Sequence, residues 1–142
     1  MKKINTLIFL TLPLLLLSGI ATGQAERNFV KTFNLAGKSA VVLNLGDNVQ
    51  VNVWDSDVLR VQMTVKLAAA TDATLKALAE TGRYLLKSDM TESAVNIAAP
   101  FLQNAVKLNG NAVKETVTYI VFAPRTVVVQ KNNDLVVAKL NP

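Results

Sequence analysis

Apolar and polar residues alternate with a period of two along much of this chain, the repeat of a strand that buries one face. The alternation is cleanest where Val49, Val51 and Val53 are set against Gln50, Asn52 and Trp54. After Asp55-Ser56-Asp57 it resumes, with Leu59, Val61, Met63, Val65 and Leu67 against Arg60, Gln62, Thr64 and Lys66. Two such runs joined by a short Asp/Ser connection predict a β-hairpin with one buried face. Upstream, Phe29, Phe33 and Leu35 share one parity, as do Val41, Leu43 and Leu45, with Gly37 and Gly46-Asp47-Asn48 supplying turns. Four strands are therefore expected before residue 68.

The period then changes. Thr71 and Asp72 are good N-cap types, and Leu75, Leu78 and Ala79 follow at helical spacing. Gly82 is the ambiguous residue: a helix continuing through it would carry an interior glycine at a cost of about 1 kcal/mol. The preferred reading ends a short helix there, then runs a strand over 83–88, a turn over 89–92 and a strand over 94–98. Residues 100–111 hold Asn, Gly and Pro without sustained periodicity and read as a loop. A long strand follows over 113–123. Its stretch 118–122 is apolar on both parities, which predicts a central strand covered on both faces. Pro124 ends it, and Asn132-Asn133-Asp134 separates two last short strands over 126–130 and 135–140. The predicted fold is mainly β, a sandwich-like or short β-solenoid domain with one short α-helix.

The N-terminus follows another pattern. Lys2 and Lys3 precede an apolar run from Leu7 to Leu17, and small residues come next: Ser18, Gly19, Ala21, Gly23 and Ala25. Charge, apolar run and small-residue zone, in that order, predict a signal peptide over residues 1–25. The run is short of the roughly 20 residues that span a bilayer. Cleavage after Gly23 and cleavage after Ala25 both satisfy the small-residue rule, and a single β-rich domain over 26–142 remains. The expected destination is outside the cytoplasm: periplasm, outer-membrane surface or medium. No integral membrane segment is expected after processing, and the helix near 72–81 is too short and too weakly charged to anchor at a membrane surface.

Composition narrows the chemistry. The 142 residues include no Cys and no His. Without disulfides, stability must come from packing even in an oxidising compartment. The commonest general base, the thiol nucleophile and the usual zinc and copper ligands are all missing. Removing Lys2 and Lys3 leaves thirteen basic against ten acidic side chains, scattered singly. No basic stripe with interleaved aromatics calls for nucleic acid. No Gly-rich phosphate loop exists either, since the glycines at 37, 46, 82 and 110 are isolated. No cofactor is expected.

Three residues stand out: Trp54, Asp55 and Asp57. The two carboxylates would sit together at the tip of the expected hairpin. They serve there as turn formers bonding nearby backbone, or as a carboxylate pair of the kind glycoside hydrolysis uses, which needs a cleft rather than a tip. With Asp47, Asp134 and nearby Asn side chains they could also supply oxygens to Ca²⁺, but no EF-hand loop or Gly-Asp repeat is present. Trp54, the only tryptophan, lies at the parity opposite the valines. It is either an exposed platform for a sugar ring or a partner, or cover for a second core against the helix with its N–H satisfied.

The residues also resemble a family. Phe33-Asn34-Leu35 opens the pattern, and Asn48-Val49-Gln50-Val51-Asn52-Val53-Trp54-Asp55 continues it. A valine-rich strand and short helix then lead to Val117-Thr118-Tyr119-Ile120-Val121-Phe122-Ala123-Pro124 and Asn133-Asp134-Leu135-Val136-Val137. Together these resemble the N-terminal part of the exported adhesin-type domains of unknown function found in Bacteroidota envelopes. The resemblance implies a β-solenoid-like or β-sandwich-like fold and no catalytic residues. It departs after Pro124, where such domains continue for many more turns. An early stop leaves an edge strand at 135–140, open to self-association. The expectation is a non-enzymatic, exported cell-envelope protein, adhesin-like or structural, whose partners are an envelope or surface protein or a glycan. The alternative is a periplasmic binding module with a closed pocket for an apolar or carbohydrate ligand.

Overall fold

The computed structural model describes residues 23–132 and 134–137. Eleven strands and one α-helix follow in order: β1 (Ala25–Asn34), β2 (Ala40–Asn44), β3 (Val49–Trp54), β4 (Val58–Leu67), α1 (Asp72–Glu80), β5 (Lys87–Met90), β6 (Ala94–Ala98), β7 (Lys107–Leu108), β8 (Asn111–Ala112), β9 (Glu115–Pro124), β10 (Val128–Lys131) and β11 (Asp134–Val137). A four-stranded sheet in the order β1-β4-β9-β3 faces a five-stranded sheet in the order β11-β10-β2-β6-β5, and β7-β8 is a separate small hairpin. The mainly β, sandwich-like expectation holds.

The alternating pattern explains the core. Leu59, Val61, Met63, Val65 and Leu67 of β4 are fully buried, as are Val41 and Leu43 of β2, Val95 and Ile97 of β6, Val121 of β9 and Val129 of β10. Each such side chain contributes roughly 1.5–3 kcal/mol relative to exposure. The chain passes repeatedly between the two sheets, so from β1 to β4 no strand pairs with the next in sequence.

That weaving overturns the expected hairpin. β3 and β4 do not pair; β9 lies between them, parallel to β3 and antiparallel to β4. A strand arriving some sixty residues later takes the position that the local pattern assigns to a neighbour. The second sheet holds the parallel set β10-β2-β6, flanked by antiparallel β11 and β5. β11 turns back on β10 as a hairpin in the same sheet.

α1 is capped at both ends. The Thr71 hydroxyl accepts from the Thr74 N–H at 3.2 Å. At the far end Gly82 N–H reaches the Ala79 carbonyl at 3.0 Å and Arg83 N–H the Leu78 carbonyl at 3.3 Å. This double closure requires a left-handed residue, and Gly82 supplies it at φ 84°. The helix therefore stops where expected, but the next strand begins later than 83. Tyr84 and Leu86 are buried instead, with Tyr84 stacked on Phe29 of β1 at 5.2 Å, and β5 pairs with β6 only from Lys87. The expected loop over 100–111 contains a 3-10 turn at Pro100–Gln103 and the β7-β8 hairpin, turned by Asn109 and Gly110 at positive φ.

β9 is central, as its apolar composition predicts, but it is not covered on both faces. Ile120 is 37% exposed and Phe122 half-buried on the outer side of the first sheet. Most of the expected signal peptide, and residues 138–140 of the expected last strand, lie outside the described residues.

Candidate functional site

The geometry of β3 and β9 builds one corner of the molecule. These strands run parallel and in register, with Trp54 opposite Pro124. Both end at the same level, so the segments that follow them emerge side by side. Asp55 thereby meets Arg125, seventy residues away, through a hydrogen-bonded ion pair from Arg125 Nε. The pair is exposed, and each partner favours the charged form of the other: Asp55 is held below its ordinary carboxylate value by the Arg125 hydrogen bond and charge, and Arg125 is raised.

Trp54 spans the end of β9. Its indole N–H donates to the carbonyl of Val58, the first residue of β4, at 2.9 Å. Its ring tilts 41° against Phe122 with centroids 5.6 Å apart. Arg60 of β4, paired opposite Phe122, holds its guanidinium 6.0 Å from the Phe122 centroid. The tryptophan thus joins an aromatic and cationic cluster on the outer face of the first sheet. It does not pack on the helix, which lies beside β1 through the Arg27–Asp72 ion pair. Its N–H is satisfied, as expected of a partly buried indole.

The three residues singled out in the sequence line one depression of about 390 Å³, shared with Ser56, Pro124, Arg125 and Thr126. It is open to solvent. Asp55 and Asp57 sit on the connection that crosses from β3 to β4 over the end of β9, rather than at a hairpin tip. Asp47 is not brought to them; its carboxylate accepts from Asn132 Nδ2 at 3.1 Å beside the β10-β11 turn. Among the described residues no three acidic side chains gather as a metal site.

A second polar cluster lies apart, where the end of α1 meets β9. The Arg83 guanidinium donates twice to Glu115, from Nε at 3.0 Å and Nη2 at 2.8 Å, and also to the carbonyls of Phe101 and Asn104. Tyr84 donates its hydroxyl to the same carboxylate at 2.8 Å. Burial, then the Glu115 hydrogen bond and charge, pushes the Tyr84 hydroxyl well above the usual tyrosine value. Both Glu115 oxygens are occupied by donors, so the carboxylate ties the start of β9 to Arg83 and Tyr84.

Arg60, Phe122, Arg125 and Pro124 are not marked as site residues by the sequence. Alternation makes Phe122 and Arg60 ordinary outward residues, and only the strand order brings them beside Trp54. No family model matches the chain, and neither a curated relative nor a solved structure does.

Proposed function

We propose that this chain is an exported, non-enzymatic cell-envelope protein, adhesin-like, that engages its partner through the Trp54 corner. The observation that carries the reading is the combination of an aromatic pair, an arginine and a carboxylate–guanidinium pair on an open sheet face. A face of this kind meets a large partner surface or an extended polymer. A module for a small apolar ligand needs an enclosed cavity, and the depression at Trp54 is open to solvent.

Three further features support the proposal. The N-terminal order of charge, apolar run and small residues favours export. No helix among the described residues is long and apolar enough to cross a membrane. The sequence also resembles envelope adhesin-type domains. Among the ion pairs of the described residues the least exposed, Arg83–Glu115, is closed on itself and serves packing. β11 forms one edge of its sheet, which supports self-association as a second use of the surface.

The test compares attachment of intact producing cells, with and without the chain, to surfaces coated with envelope material of neighbouring cells. Loss of attachment, restored by the natural chain and not by Trp54→Ala, is expected. Unchanged attachment, with turnover of a glycan by the purified protein, would move the chain to the enzymes.

A further inference from the structure

We infer that the Trp54 corner is a binding site for an uncharged glycan, entered by an interior stretch of the polymer; the inference rests on the exported-protein reading above. A sugar ring presents an apolar C–H face and a rim of hydroxyls. It is held where an aromatic face lies next to fixed, planar hydrogen-bonding groups. Trp54 and Phe122 provide the aromatic surface, tilted 41° to each other. The only polar atom of the indole is already spent on Val58, so Trp54 offers a ligand its ring face rather than a donor.

The hydrogen-bonding rim comes from the connection next to it. Asp57 and Ser56 line the same depression as Trp54, with the Asp55–Arg125 pair alongside. Among the described residues Asp57 makes no ion pair within 4.0 Å, so its carboxylate is available to accept from ring hydroxyls. Arg125 is fixed by Asp55 and supplies its remaining N–H groups as donors.

Charge and shape narrow the class. Two carboxylates, Asp55 and Asp57, stand against two guanidiniums, Arg125 in the lining and Arg60 over Phe122, so the corner carries no net charge and offers a polyanion no net attraction. The depression's volume of about 390 Å³ lies at the small end of the ligand-cleft range, about 300–1,000 Å³. An open end suits a polymer that passes through rather than a small molecule that is enclosed. Beyond the corner, the outer face of the sheet continues the same chemistry in two cross-strand rows, Asn52-Phe122-Arg60 and Gln50-Ile120-Gln62. Planar polar groups flank apolar surface in both, an amide and a guanidinium in the first and two amides in the second.

Trp54 is the single tryptophan, so its emission reports on this site alone. The processed protein recovered from the producing cells is titrated with hexasaccharides of glucose, mannose, xylose and N-acetylglucosamine, and with a galacturonate hexamer. Calorimetry runs alongside on the natural chain, Trp54→Ala and Asp57→Asn. The inference predicts a shift in tryptophan emission with at least one neutral hexasaccharide, and affinity at least tenfold weaker in both variants. Asp57→Asn is expected to melt like the natural chain, which separates lost binding from lost folding. No emission change with any neutral sugar would overturn the inference, as would binding of the galacturonate hexamer alone. Binding untouched by Asp57→Asn would overturn it too. Each of these results leaves the export reading standing, because the protein used has already been processed and exported.

Discussion

Replacing Glu115 by Gln removes a charge and turns one of two acceptor oxygens into a donor with almost no change of shape, which makes the Arg83 cluster the most quantitative test of the packing. The two side chains are 12% and 11% exposed. Breaking a buried ion pair from one side strands the other charge, at a typical cost of 3–5 kcal/mol. Here Arg83 keeps the Phe101 and Asn104 carbonyls, so the lower end, about 3 kcal/mol, is expected. That is a large fraction of the roughly 5–15 kcal/mol that holds a domain of this size together. Equilibrium urea unfolding, followed by circular dichroism and Trp54 emission, measures it. With slopes of about 1–3 kcal/mol per molar urea, the midpoint moves down by about 1–3 M. The double variant Arg83→Met with Glu115→Gln removes both charges and is expected to lose clearly less than the two single variants added. A Glu115→Gln loss below about 1 kcal/mol, or strict additivity in the double variant, would refute the reasoning.

Alkaline pH tests the tyrosines. Burial first, and then the Glu115 charge, raises Tyr119 to about 12, and Tyr84 is raised as well. Up to about pH 10 both folded and unfolded chains hold these protons, and stability is intact; above it only the folded chain does. Stability then falls by about 1.4 kcal/mol per pH unit for each tyrosine until the folded value is reached. Urea midpoints taken through this range show the fall, and Tyr119→Phe removes its share; an unchanged slope in that variant would contradict the assignment. Gly82→Ala places a side chain at φ 84° with its Cβ 3.1 Å from Leu85 Cδ1, and thermal melting is expected to report a loss of about 1 kcal/mol, mostly from the left-handed backbone. Ala25 begins β1 opposite Leu67 and is only 5% exposed. Of the two cut points, cleavage after Gly23 is therefore expected, and N-terminal sequencing that begins at Gln24 rather than Glu26 checks it.

Strands and helix were legible because their signals are local. β4 alternates without a break, and α1 carries Thr71 at one end and Gly82 at the other. Pairing was not legible. Nothing between Val49 and Leu67 announces that β9 will enter between β3 and β4, since sheet neighbours are chosen by long-range packing. The same gap hid the corner: Arg125 meets Asp55 only because two parallel strands end level. Ile120 and Phe122 misled in an instructive way. An apolar run on both parities reads as double burial, yet here its outer half belongs to an open face with Trp54 and Arg60. Ending the helix at Gly82 left 83–88 to be read as a strand, but the Tyr84 and Leu86 side chains are drawn into the core next to β1, and regular pairing waits until Lys87.

Export is the claim on which the functional account depends, and fractionation of producing cells with intact-mass measurement of the protein in each fraction tests it most directly. The account predicts a chain shortened to begin at Gln24, found in the periplasm, the outer membrane or the medium. Full-length protein beginning at Met1 and confined to the cytoplasm would contradict it, and the adhesin-like reading would fall with it.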